Sequence, residues 1–243
     1  MDKLVAHRDF KDPLYAQFAR IGKALASPQR LELLDLLAQG ERSVEDLARE
    51  SELPVPNASQ HLQVLRRERL VATRKVGLHV YYRLADPSVF ALWRALRAVG
   101  ERQLAEIDRL VALYMQHPEH LEPVAREELQ ARLSAGDVTL LDVRPREEYR
   151  QGHIAGARSI PVGELAARLA ELPPDREVVA YCRGPYCLFS NEAIATLRAH
   201  GFQARRLVDG FPEWAAAQLP VEGPLFSAHL AAQPGVTARS ADH

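Results

Sequence analysis

The chain has 243 residues, 47% hydrophobic and 26% charged, with a formal net charge of −1 and 2 cysteines. That composition excludes a disordered chain, and the length accommodates two domains of ordinary size. Met1-Asp2-Lys3-Leu4 carries no apolar signal region, no run reaches bilayer-spanning length, and two close cysteines make no disulfide framework, so a cytoplasmic protein with reactive or regulatory thiols is expected.

Taken in chain order, Tyr15, Phe18, Ile21 and Leu25 recur at helical spacing, and a second helix from about Arg30 to Gln39 stops at Gly40. Ser43 caps a short third helix through Leu47, with Asp46 completing a near capping box. Pro54 and Pro56 force an extended approach, and Asn57 is placed to cap a fourth helix over Ala58 to Arg69. Leu70 to Lys75, a turn at Gly77, and His79 to Leu84 form a hairpin. Between Pro54 and Arg83 the basic residues are Arg66, Arg67, Arg69, Arg74, Lys75 and Arg83, against the single acidic Glu68, which makes a basic patch in a neutral chain. Helix, turn, helix and basic hairpin together make a winged helix.

Residues from about Leu14 to Asp86 resemble the ArsR family of dimeric winged-helix repressors. The stretches ALASPQRLELLDLLAQGERSVEDLA, SQHLQVLRRERLV and GLHVYYRLAD carry the resemblance, in the family's order and spacing. It implies that the fourth helix enters the major groove of a double-stranded DNA operator, so that Asn57, Ser59, Gln60, His61 and Gln63 are the candidates for reaching bases or phosphates. Arg74, Lys75 and His79 on the hairpin would then contact the DNA backbone or minor groove, while Leu62 and Leu65 belong to the core. For any one of these polar side chains the alternative is a solvated face.

From Pro87 to about Gln116 the pattern reads as one long helix, because Trp93, Gly100, Ile107 and Tyr114 recur at heptad spacing with Leu96, Leu104 and Val111 between them. In the ArsR family the corresponding helix joins the first helix in the dimer, which implies a homodimer reading two half-sites about one DNA turn apart. Packing against its own domain is the alternative. Many members of that family sense metals, through cysteines on the reading helices or through acidic and histidine residues on the last helix. No cysteine stands on the reading helices here, and Glu106, Asp108, His117 and His120 repeat no metal-ligand spacing. No metal or other cofactor is therefore expected, and sensing is sought elsewhere.

The expected organisation is a DNA-binding and dimerisation domain over 1–117, a linker over 118–124 beginning in His117-Pro118-Glu119-His120, a second domain over 125–222, and a loosely packed tail over 223–243. In the second domain Val124 to Leu133 reads as an amphipathic helix, and Val138 to Val143 and Glu177 to Tyr181 read as apolar strands. The helix containing Asn191 to Ala199 stops at Gly201, and Ala204 to Leu207 is a further strand. Such alternation argues an α/β domain with chemistry at strand ends. Both cysteines fall in the loop Cys182-Arg183-Gly184-Pro185-Tyr186-Cys187, between strand and helix. Its backbone N–H groups, around Gly184 and Tyr186, and the positive end of the following helix form a cradle for a thiolate or an incoming anion, and Arg183 adds positive charge. A pair of small buried hydrophobes is the alternative.

The stretches LLDVRPREEYRQGHIAGARSIP and LVDGFPEWAAAQLPVE, with the cysteine loop after VVAY, resemble a rhodanese (sulfurtransferase) domain spanning about Pro123 to Glu222. The fold class is accordingly an α+β winged helix-turn-helix domain followed by an α/β rhodanese-like domain with a mainly parallel sheet. Asp142, Arg144, His153 and Gly156 match the first signature, and Gly210 and Trp214 match the closing one, all with bracing as the default role. In that family the first loop cysteine accepts a sulfane sulfur from thiosulfate, a persulfide or a polysulfide and passes it to a thiol, and Cys182 holds that position. Where many rhodaneses carry arginine at the sixth loop position this chain has Cys187. That departure argues against efficient thiosulfate turnover and makes Cys187 either a resolving thiol for a Cys182 persulfide or a packing residue. A cysteine phosphatase is disfavoured, since its arginine would fall where Leu188 stands.

Three functions follow. The first is a DNA-binding regulator, read as a repressor, in which persulfidation of Cys182 lowers DNA affinity. The second is a sulfurtransferase that uses the winged helix for dimerisation or DNA tethering. The third is a thiol sensor for oxidants or arsenite that closes a Cys182–Cys187 bridge. The first is favoured because the DNA-reading residues stand intact while the loop has exchanged an arginine for a second thiol.

Overall fold

The computed structural model describes residues 2–115 and 122–224 and forms two compact units, Met1–Asp108 and Arg109–His243. His117, Pro118, Glu119 and His120 of the expected linker, and the tail beyond residue 224, lie outside the described residues.

The first unit opens with α1 (Asp2–Leu25) and α2 (Pro28–Ala38). Ser27 caps α2 in extended conformation, and Pro28 follows where a missing backbone N–H leaves no helical bond unmade. α3 (Val44–Glu50) starts from the Ser43 cap, whose Oγ accepts from Asp46 N at 3.1 Å. α4 (Val55–Arg67) begins ahead of the expected Ala58, with Pro54 at the cap position and Pro56 in the first turn. Prolines fit there because the first N–H groups of a helix have no intrahelical acceptor, so Asn57 lies inside the first turn and does not cap it. β1 (Arg42–Ser43), β2 (Val71–Val76) and β3 (His79–Leu84) form an antiparallel sheet in the order β1-β3-β2. Gly77, at φ +58°, turns the hairpin. Leu33, Leu34, Leu37, Leu47, Leu62, Leu65 and Tyr82 make one core beneath these elements.

The expected single long helix is two, α5 (Pro87–Gln103) and α6 (Ala105–Tyr114), broken at Leu104, whose backbone is extended at φ −117° and ψ 96°. Gly100 is the physical reason. It is a weak helix former, and its missing side chain lets Ile107 fold back on it, so that a Cβ there would lie 3.1 Å from Ile107 Cδ1. The heptad spacing therefore does not run as one seam along one helix.

In the second unit α7 (Arg126–Ala135) ends on Gly136 in left-handed conformation. β4 (Val138–Asp142), α8 (Arg146–Gln151), β5 (His153–Ile154), β6 (Arg158–Ser159) and α9 (Leu165–Arg168) follow. The unit closes with β7 (Glu177–Tyr181), α10 (Leu188–Ala199), β8 (Ala204–Arg206), α11 (Phe211–Ala216) and β9 (Val221–Glu222). The main sheet is parallel throughout, in the order β6-β4-β7-β8, and β5 pairs antiparallel with β9. Val178 and Ala180 pack on one side with Leu141, Ile194 and Leu197, and Val179 and Tyr181 on the other with Leu129, Phe211 and Trp214. A strand covered on both faces reads as an unbroken apolar run, which is what Glu177 to Tyr181 shows. The winged helix followed by a parallel α/β unit is the fold class expected from the sequence.

Candidate functional site

The cysteine loop begins where β7 ends. Cys182 is 2% exposed and belongs to the core cluster beneath α10, while Cys187 caps the N-terminus of that helix and is half-buried. The two sulfurs are bonded, across a Cα–Cα distance of 6.2 Å that lies in the ordinary disulfide range. Cys187 N donates to Gly184 O at 3.2 Å and Ser190 Oγ to Cys187 O at 3.1 Å, which ties the far end of the loop to the helix. Phe211 N donates to Cys182 O at 3.1 Å and anchors the near end.

Arg183 does not point its charge into solvent. Its Nε donates to Glu148 Oε1 at 2.9 Å, and Glu148 is buried. Tyr186 and Leu188 stand exposed on the loop's outer side. Gly184 faces the Glu213 carboxylate, and Gly210 approaches so closely that a Cβ on it would collide with the backbone of Arg183 and Gly184. Gly210 N in turn donates to Glu213 Oε2 at 3.1 Å.

Arg206 was not singled out by its sequence context, yet it reaches the same loop. Its guanidinium is 5% exposed, and Nη2 donates to Pro185 O at 2.9 Å and Nη1 to Asn191 Oδ1 at 3.0 Å. Burial pulls its pKa below the usual arginine value. A strand-end arginine is ordinarily solvated, and only its tertiary surroundings distinguish this one.

The residues of the first rhodanese-like signature brace the sheet beneath the loop. Arg144 donates from Nη2 to Asp142 Oδ2 at 2.6 Å and to Gly152 O at 2.8 Å, and its guanidinium lies 4.3 Å from the Phe211 ring centroid. Tyr181 OH donates to the same Asp142 Oδ2 at 2.6 Å and accepts from Ile154 N at 3.1 Å. Burial works against the charge on Arg144, but the Asp142 carboxylate outweighs it and raises the arginine pKa. His153 stacks on Tyr149 with centroids 3.7 Å apart, and Gly156 turns the chain at φ +77°.

On the winged helix, α4 presents Asn57, Gln60 and Gln63 as exposed side chains and Ser59 and His61 as half-buried ones, with Leu62 and Leu65 beneath them in the core. Gln63 Nε2 also donates to Tyr82 OH at 3.3 Å, which ties the helix to the hairpin. Lys75 and His79 are exposed on the hairpin. Arg74 is engaged within the protein, with Nε donating to Glu41 Oε1 at 3.2 Å and the guanidinium 5.5 Å from the Tyr81 ring centroid. Among the described residues no three His, Cys, Asp or Glu side chains gather as a metal site, and no helix is long and apolar enough to cross a membrane.

Residues 27–73 match the bacterial regulatory protein arsR family, and residues 125–217 match the rhodanese-like domain. The chain is 46% identical over 219 residues to an HTH-type transcriptional regulator of Mycobacterium tuberculosis, an alignment covering 90% of this chain and 96% of the relative. Over 100 residues it is 37% identical to a sulfurtransferase of Allochromatium vinosum, covering 40% of this chain and 92% of the other. Among solved structures, the homodimeric winged helix-turn-helix DNA-binding domain of a Mycobacterium bovis protein is 44% identical and covers 40% of this chain and 89% of its own, at a TM-score of 0.38.

Proposed function

This chain belongs to the arsR family of bacterial regulatory proteins and carries a rhodanese-like domain behind its winged helix, and from that premise we propose that it is a cytoplasmic, homodimeric repressor that leaves its DNA operator when reactive sulfur reaches Cys182. The observation that carries the reading is the bond between Cys182 and Cys187 in the strand-to-helix loop. The DNA-reading part rests on the exposed polar side chains of α4 beside the basic hairpin. Dimerisation rests on the exposed apolar side chains of α1, Phe10, Tyr15 and Phe18, together with Leu96 and Val99 of α5.

The chemistry runs in two steps. In the reduced loop the Cys182 thiolate attacks the outer sulfur of a small sulfane donor, an organic persulfide or a polysulfide, giving Cys182–S–SH and releasing the donor's remainder as a thiolate. Thiosulfate would release sulfite in the same step, and it is the less favoured donor because a thiol stands at the sixth loop position. The Cys187 thiolate then attacks Cys182 Sγ. The Sγ–Sγ bond forms, the persulfide bond breaks, and hydrosulfide leaves with the electron pair. The sulfane sulfur is thereby reduced and the two thiols oxidised to a disulfide. The positive end of α10 favours the Cys187 thiolate at its cap.

The same bond favours a second reading, in which an oxidant closes the bridge directly. Mass measurement after treatment of the reduced protein with one equivalent of organic persulfide separates the two. The persulfide route gives a wild-type product two hydrogens lighter with hydrosulfide in solution, and a Cys187→Ser product one sulfur atom heavier at Cys182. A Cys187→Ser protein that gains no sulfur contradicts it, and continuous turnover to an added thiol by Cys187→Ala would move the assignment to a sulfurtransferase.

A further inference from the structure

Three hydrogen bonds lead out of the cysteine loop. Pro185, midway between the two cysteines, offers its carbonyl to Arg206 Nη2 at 2.9 Å, and Arg206 Nη1 donates to Asn191 Oδ1 at 3.0 Å. Asn191 then donates from Nδ2 to the carbonyl of Met115 at 3.3 Å. Met115 is buried, and its own N–H donates to Val111 O at 2.8 Å, so it closes the last turn of α6. All four residues belong to the second unit, and α6 is the helix through which the chain arrives from the winged helix.

We propose that Arg206 and Asn191 carry the state of the Cys182–Cys187 loop to the C-terminal turn of α6. The inference rests on the sulfur-responsive reading and adds to it the residues through which that response leaves the loop. Closing the bridge fixes the two ends of a four-residue segment of which Pro185 is part, so reducing it is expected to release the Pro185 carbonyl to a different position. Arg206 cannot ignore that difference. Its guanidinium is 5% exposed and faces no carboxylate among the described residues, so its N–H groups depend on the few carbonyl and amide oxygens around them. Asn191 is suited to pass the change on because its amide accepts on one side and donates on the other, which couples the two bonds through one rigid planar group. Met115 receives the change at a backbone carbonyl, a group that every residue type would present, and for that reason sequence reading had no signal for it.

Asn191→Asp tests the inference selectively in the full chain. The carboxylate keeps an acceptor for Arg206 and removes the donor to Met115. In the reduced state the variant is expected to bind operator DNA like wild type, and polysulfide is expected to modify Cys182 to the same extent. The fall in DNA affinity should then shrink to less than about twofold, against a wild-type fall within the roughly 5–150-fold span usual for allosteric coupling. A full fall in the variant overturns the relay.

Amide hydrogen exchange over residues 111–115 reads the relay without DNA. Wild-type protection should differ between dithiol and disulfide forms, and the difference should vanish in Asn191→Asp. Equal protection in both wild-type forms overturns the relay even where DNA binding responds, whereas an exchange difference without any DNA response overturns the repressor reading and leaves the relay standing. Should Asn191→Asp unfold, Arg206→Lys keeps the buried charge but cannot bridge Pro185 and Asn191 with a fork, and the same two measurements apply.

Discussion

Asp142 accepts from both Arg144 and Tyr181 in a fully buried site, and that arrangement sets the order in which substitutions should hurt. Asp142→Ala leaves the Arg144 cation buried without its main counter-charge, which costs about 3–5 kcal/mol. Tyr181→Phe leaves Ile154 N without its acceptor and Asp142 without one donor, at about 1–3 kcal/mol. Urea unfolding followed at Trp214 in a Trp93→Phe background should rank them in that order, and a larger loss for Tyr181→Phe would contradict it. Gly210→Ala should lower stability and change the rate at which a thiol reagent reaches the reduced Cys182, because its Cβ has no room against the loop backbone. Unchanged melting and reactivity would show that the loop gives way freely. The cysteines were legible in the sequence because two chemistry-bearing residues shared one turn. Arg206 was not, since its burial is decided by the loop and by α10, elements distant from it along the chain.

The elements whose local signal has one reading were legible, and those whose local signal fits two readings were not. Ser43 announces α3 through a side chain that bonds within its own helix, Gly40 marks the end of α2, and Gly77 announces the hairpin. The start of α4 and the break at Leu104 escaped for opposite reasons. Prolines usually signal an extended approach, yet in the first turn they are tolerated. Heptad recurrence usually signals one helix, yet Gly100 lets Ile107 fold back across the break. On the hairpin, Lys75→Ala is expected to weaken binding uniformly across DNA sequences and to lower the salt slope by about 1. Glu41→Gln should strengthen binding by freeing Arg74 for phosphate, and titrations over a series of salt concentrations would read both effects. A change confined to one base pair of the operator would place Lys75 on a base edge and contradict the backbone assignment.

At the scale of the whole molecule, α1 and α5 expose apolar side chains and α4 exposes polar ones, while a loop with a bonded cysteine pair lies in a separate unit. Covering that apolar surface with a second copy predicts that Phe18→Glu sediments as a monomer and loses most of its DNA affinity, because one half-site alone supplies fewer contacts. A dimeric Phe18→Glu protein would place the interface elsewhere. Sulfur chemistry at Cys182 is expected to be read out as DNA affinity. Its most direct test is titration of operator DNA at one fixed salt concentration, with reduced wild-type and Cys182→Ser proteins, before and after polysulfide. Polysulfide is expected to weaken wild-type binding, a reductant to restore it, and Cys182→Ser not to respond. Wild-type binding that stays unchanged while Cys182 is modified would contradict it.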